Sequence, residues 1–193
     1  DSKRIDAYRI EILDHGYSQH TVFSFFQSLK MFFDYLEENG LLFDNPIRGM
    51  TVAKPKPALG LVLTEIEIRE LLAVPDLTTP CGVRDRAIIE VLYGTGIRLG
   101  ECAAMTIYDI DVDNQTITVT GKGSKERVIP TGKHAAKYLK IYLRDARRKL
   151  IRDNLPPEEL WIGKKAGRPL GDIAIRVMIK RHAAIAGLPD ETD

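Results

Sequence analysis

An arginine that follows two closely spaced glycines is the residue of this chain best placed to do chemistry. Arg98 stands in the sequence YGTGIRLGE, where Gly94 and Gly96 allow the backbone to turn sharply between two helices. We predict that Arg98 lies in the first turn of the second helix, where the helix dipole disfavours a cation. A bound phosphate would explain that placement, because the guanidinium fork and the helix N–H groups would bind one anion together. Glu101 shares the helical face and could hold the fork in place, although a plain surface Arg–Glu pair is the alternative.

A lysine between two glycines is the second candidate. Lys122 stands in GKGSKER, and β-branched residues on either side predict strands at 116–120 and 127–129 joined by a hairpin. Gly121 and Gly123 lie in the turn region, so this lysine has little steric shielding and could give a proton to a leaving oxygen. An edge-protected hairpin would also carry an exposed lysine, and the pattern alone leaves both roles open.

Basic residues are concentrated in the second half of the chain. The net charge is only +1, from 28 Lys+Arg and 27 Asp+Glu. Acidic residues predominate from Glu65 to Asp113, whereas eleven basic residues lie between Lys122 and Arg152. A polyanion such as nucleic acid is a natural partner for such a surface. A solvated helical face rich in Lys and Arg explains the charge equally well.

The composition excludes several classes of protein. A chain of 193 residues with 44% hydrophobic content fits one large domain or two small ones. No apolar run approaches the roughly 20 residues of a membrane span, and the first residues lack the apolar core of a signal peptide, so we expect a cytoplasmic protein. Cys81 and Cys102 are far apart and the four histidines are scattered, which argues against a disulfide scaffold and a zinc site. We therefore expect no bound metal.

Hydrophobic periodicity divides the chain into two units and a connector. Apolar residues at three- and four-residue steps predict an amphipathic helix between Ser18 and Asn39, preceded by a shorter helix at about 3–13. Pro55 and Pro57 forbid a helix and favour an extended connector. The predicted organisation is an N-terminal helical domain at 1–51, a linker at 52–62 and a second domain at 63–193.

The second domain is predicted to mix helices with the one hairpin. Thr64 to Glu67 forms a capping box, which opens the first of these helices. The helices are expected at about 64–74, 85–93, 133–151 and 172–186, with a short one starting near Arg98. We expect Tyr93 to pack in the core of an apolar helix. The predicted fold class is mostly α with a small antiparallel sheet, an α+β chain.

Taken in order, these segments resemble the tyrosine recombinases, also called phage integrases, of the Xer type. The matching segments are FFDYLEENGLLFDNPIRGM, a proline-bearing linker into LTEIEIRELL, LYGTGIRLGECAAMTIYDID and TITVTGKGSKERVIPTG. The resemblance covers essentially the whole chain and implies a helical SAM-like core-binding domain followed by a recombinase catalytic domain. It implies that Arg98 binds the scissile phosphate, that Glu101 supports Arg98 and that Lys122 is the general acid.

The resemblance also implies the reaction and the partners. The reaction is a cofactor-free transesterification of duplex DNA through a 3′-phosphotyrosyl intermediate, carried out by a synaptic tetramer of protomers at the nucleoid. With the charge pattern, it suggests further DNA contacts in the linker, the hairpin and the last helix. These are Lys54, Lys56, Lys125, Arg127, Arg176, Lys180 and Arg181.

The chain departs from the family pattern at its ends. The family's His-x-x-Arg box and its nucleophilic tyrosine follow the helix that ends near Gly187, and this sequence stops at Asp193. Helices usual at the start of the first domain are also missing, and we assign no tyrosine present here as the nucleophile. We expect a fragment that binds DNA without cleaving it. A naturally short, catalytically silent DNA-binding regulator of recombination sites and a helical protein-interaction module are the alternatives.

Overall fold

The computed structural model describes residues 2–56, 62–121, 123, 125–151, 158–164 and 167–189, and the chain divides into two compact units, residues 1–60 and 61–193. The first unit contains α1 (Ser2–Asp14) and α2 (Gln19–Glu38). The second contains α3 (Glu65–Ala73), α4 (Pro80–Thr95), α5 (Leu99–Ala104), a 3-10 turn (Ile107–Asp109), β1 (Ile110–Asp111), β2 (Thr116–Thr120), β3 (Glu126–Pro130), α6 (Gly132–Ile141), a π-helical turn (Tyr142–Ala146), α7 (Arg147–Leu150) and α8 (Asp172–Ile185). None of the helices in these ranges has the length and apolar character that spanning a bilayer requires.

The first unit is organised by α2. Ser18 caps this helix, because its backbone is extended and its hydroxyl accepts a hydrogen bond from the Thr21 N–H at 3.2 Å. The buried side chains of Val22, Phe26 and Ile47 form a small core of their own. The two helices predicted for this unit are confirmed. Of the predicted linker, residues 52–56 contain neither helix nor strand, and residues 57–61 lie outside the described residues.

The core of the second unit is built around α4. Ala87, Ile88 and Val91 are fully buried on this helix. It begins earlier than the predicted 85–93 because Thr79 caps it, its hydroxyl accepting from the Gly82 N–H at 3.0 Å. Tyr93 is 56% exposed, so the expectation that it packs in the core was wrong. Successive residues of an α-helix are rotated by about 100°, so Tyr93 lies about 200° around α4 from the buried Val91. Its side chain therefore points away from the core.

The sheet consists of three antiparallel strands in the order β1-β2-β3. Val119 pairs with Arg127 and Thr120 with Glu126, so β2 and β3 form the predicted hairpin. The two-residue strand β1 was not predicted, because it is too short to show a period-two pattern. The predicted fold class, mostly α with a small antiparallel sheet, is confirmed.

A buried ionic cluster fixes α8 to α4. Asp85 is 2% exposed and accepts two hydrogen bonds from the guanidinium of Arg84, at 2.6 and 2.9 Å. The ring Nε2 of His182 on α8 lies 3.0 Å from the second Asp85 oxygen, and Arg181 Nη2 lies 3.6 Å from it. The cluster therefore links α8 to α4 through a buried carboxylate that Arg84 of α4 already pairs.

Candidate active site

Arg98 lies immediately before α5, not within its first turn as predicted. Its backbone is extended, with φ −67° and ψ 148°, and it is the N-terminal cap residue of the helix. Gly96 ends α4 in the left-handed conformation, with φ 63°, and its N–H donates to the Leu92 carbonyl at 2.9 Å. Only Gly96, Ile97 and Arg98 separate α4 from α5, and the Arg98 side chain is 77% exposed to solvent.

Glu101 joins Arg98 to the hairpin. Its side chain is only 7% exposed and accepts from the Arg98 backbone N–H at 2.9 Å and from Arg98 Nη1 at 3.0 Å. Arg127 on β3 donates to the same carboxylate through both terminal nitrogens, at 3.1 and 2.7 Å. A single carboxylate therefore connects the start of α5 to the sheet and orients the exposed guanidinium of Arg98.

These donors change the acidity of Glu101. The Arg127 hydrogen bonds, followed by the Arg98 N–H, lower the Glu101 pKa from its ordinary value of 4.5 to about 2. The carboxylate is thus ionised throughout the physiological range. The contribution of its ionic hydrogen bonds to stability is complete above about pH 4.5 and is lost as the pH falls toward 2.

Replacing Arg127 by alanine should raise the Glu101 pKa toward 4.5, because it removes the largest cause of the depression. Arg98→Ala should raise it less, since the Arg98 backbone N–H is retained in that variant. An NMR titration of the Glu101 side-chain carboxyl carbon in the chain and both variants measures this. Equal midpoints in all three proteins would contradict the assignment of Arg127 as the main partner.

The hairpin turn begins beside this carboxylate. A Cβ on Gly121 would lie 3.1 Å from Arg127 Nη1 and 3.6 Å from Glu101 Oε1, so the glycine allows a close approach. Its N–H closes the hairpin by donating to the Lys125 carbonyl at 2.8 Å. Lys122 is the next residue in the chain and lies outside the described residues.

The other predicted DNA contacts fall into two groups. Arg127 and Arg181 have carboxylate partners, Glu101 and Asp85, although their side chains are 41% and 64% exposed. Sequence reasoning missed both pairings, because each partner lies far away in the sequence and no local spacing rule connects them. The remaining predicted contacts are exposed on the surface: Lys54, Lys56, Lys125, Arg176 and Lys180.

Metal-binding side chains are dispersed over the described ranges, where no group of three or more His, Cys, Asp or Glu residues could hold an ion. The Cys102 thiol is buried, and burial raises its pKa to about 12. Its carbonyl accepts from the Trp161 indole N–H at 2.8 Å. Cys102 is therefore a core residue with an unreactive thiol.

The fold of this chain is similar to those of solved integrase structures. The structure of the Tn1549 transposon integrase in complex with a circular intermediate DNA matches 100% of this chain and 68% of that chain, with a TM-score of 0.79 and 17% identity. A lambda integrase dimer bound to a COC′ core site matches 100% of this chain and 65% of that chain, with a TM-score of 0.72 and 20% identity. These similarities establish the fold.

The sequence comparisons establish the family. Residues 62–192 match the model of the phage integrase family. "Tyrosine recombinase XerC" of Bacillus subtilis (strain 168) is 34% identical over 166 residues, which are 86% of this chain and 55% of that relative. This chain belongs to the phage integrase family and spans little more than half the length of that relative.

Proposed function

We propose that this chain is the phosphate-binding part of a site-specific DNA recombinase. The full-length gene product would bind duplex DNA, cleave one strand to form a 3′-phosphotyrosyl bond and rejoin it to a partner strand. The similarity to XerC and to integrases solved in complex with DNA supports this reaction. The solved dimer supports other protomers of the same protein as partners. We place this activity in the cytoplasm, at the nucleoid.

The observation that carries the proposal is the exposed Arg98 fixed by a buried carboxylate. Glu101 binds one nitrogen of the Arg98 guanidinium and is itself bound on both oxygens by Arg127. Two guanidinium groups and one carboxylate give the cluster a net positive charge. The Arg98 side chain is 77% exposed and has further N–H donors that can reach the oxygens of a phosphate.

The proposed strand cleavage depends on positively charged groups placed around the phosphate. A tyrosine hydroxyl of the full-length product attacks the phosphorus and loses its proton to water, while the P–O5′ bond breaks and the 5′ oxygen takes up a proton. Arg98 would stabilise the charge on the non-bridging oxygens of the transition state. Lys122 would supply the proton to the 5′ oxygen. Further backbone contacts are proposed for Lys54, Lys56, Lys125, Arg176, Lys180 and Arg181.

A nicked duplex that traps the covalent adduct tests this proposal in the full-length gene product. Lys122→Ala should slow adduct formation by roughly 100-fold on an ordinary substrate, the lower end of general-acid effects. The same variant should react at the wild-type rate when the 5′ leaving oxygen is replaced by sulfur, which leaves without a proton. Lys125→Ala is the matched control, since it removes a lysine of the same hairpin and should affect both substrates alike. No adduct with either substrate in the unmodified protein would refute the recombinase proposal.

A further inference from the structure

Three lysines form an exposed row on α6, away from the candidate active site. Lys133, Lys137 and Lys140 are spaced at i, i+4 and i+7, which places them on one face of the helix. All three are exposed, and together with Arg144 they line one groove of about 530 Å³. Across the groove lies the turn between β1 and β2, which contributes Val112, Asp113 and Gln115.

The charge of this groove is largely uncompensated. Arg144 donates to both oxygens of Asp145, at 3.1 and 2.8 Å. The described part of the chain provides no ion-pair partner for the three lysines of the row; Lys137 Nζ lies 5.6 Å from the Tyr138 ring centroid. Asp113 is the one carboxylate among the residues that line this groove, whereas three lysines line it.

The groove lies at the opposite end of the sheet from Arg98. Thr116 at the start of β2 pairs with Pro130 at the end of β3, next to the groove. Thr120 at the other end pairs with Glu126, where the hairpin turn begins beside Glu101. Five residues of strand at about 3.3 Å each separate the two regions by roughly 16 Å. One phosphate cannot contact both.

We propose that this lysine row is a second phosphate-binding surface, which holds a DNA backbone segment other than the one at Arg98. The row extends along seven residues, about 10 Å of helix at 1.5 Å per residue, and duplex DNA carries a negative charge every 1.7 Å of its axis. A duplex backbone therefore presents phosphates along the whole row. The proposal rests on the proposed function, which brings DNA to the neighbouring site.

Charge-neutralising substitutions in this chain test the surface. The variant K133Q/K137Q/K140Q keeps residues of similar helix propensity and removes three positive charges. On a labelled duplex of about 40 base pairs, roughly 140 Å long, its affinity should fall at least about tenfold. The slope of log K against log salt should become shallower by about 2.7, which is 0.9 for each of three lost phosphate contacts.

The matched control is K30Q/K149Q/K164Q, which makes the same charge change at three exposed lysines outside the row. In the control, the slope of log K against log salt should become shallower by less than about 0.9, the value for one phosphate contact. Equal losses in both variants would overturn the proposal, because the effect would then come from net charge alone. Loss of binding to polyglutamate with unchanged DNA binding would also overturn it, in favour of an acidic protein partner. If the unmodified chain binds no DNA, the proposed function itself fails.

Discussion

Replacing Arg98 by alanine in the full-length gene product should reduce the rate of strand cleavage by about 10³-fold or more while DNA affinity falls less than about tenfold. The guanidinium is expected to act on charge that develops in the transition state, and removal of such an arginine costs far more in rate than in binding. A single phosphate contact among many contributes little to affinity. Covalent adduct formation on nicked DNA and a binding titration measure the two effects separately.

Two further expected results distinguish a catalytic Arg98 from a structural one. Glu101 keeps its bidentate partner Arg127 when the Arg98 side chain is removed, so the fold of the cluster should persist and the melting temperature should change little. Arg98→Lys preserves the charge but not the fork, and should recover only a small part of the rate. An Arg98→Ala protein that is unfolded, or that has lost DNA binding and cleavage to the same extent, would identify Arg98 as a structural residue.

Local sequence signals predicted the elements well. The cap at Ser18, the capping box at Thr64 and the apolar periodicity of α2 act within a few residues, so they can be identified without knowledge of the tertiary fold. The pairing of Arg98 with Glu101 is equally local, because the two residues lie three positions apart at the start of a helix. The family resemblance added the role of a phosphate ligand to that local geometry.

Long-range contacts could not be predicted in the same way. The contact between Glu101 and Arg127 depends on the register of β3 against β2, in which Arg127 pairs with Val119. The contact between Asp85 and His182 depends on how α8 packs on α4. The π-helical turn at residues 142–146 interrupts a segment predicted as one continuous helix, because apolar periodicity does not distinguish i+5 from i+4 hydrogen bonding. These features are determined by tertiary packing.

Arg127 was expected to contact DNA, and its contacts support a different role, which we propose is to position Arg98 through Glu101. Both terminal nitrogens of its guanidinium bind the buried Glu101 carboxylate. Arg127→Ala should therefore reduce the cleavage rate by about 100-fold, because displacing a catalytic group by about 1 Å can slow a reaction by that factor. The affinity for DNA and its salt dependence should hardly change. A direct phosphate contact predicts the reverse, a weaker affinity with a salt slope reduced by about one.

The conservative variant and a double-mutant cycle distinguish positioning from general destabilisation. Arg127→Lys retains the charge but cannot bind both oxygens of Glu101, so it should recover only part of the rate. Glu101→Gln should reduce the cleavage rate by itself. Adding Arg127→Ala to this variant should reduce the rate much less than Arg127→Ala does in the wild type, because the carboxylate that Arg127 binds is already absent. Independent, multiplicative effects of the two substitutions on the cleavage rate would refute the coupling. Full cleavage activity in Arg127→Ala would show that Glu101 orients Arg98 without help from the sheet.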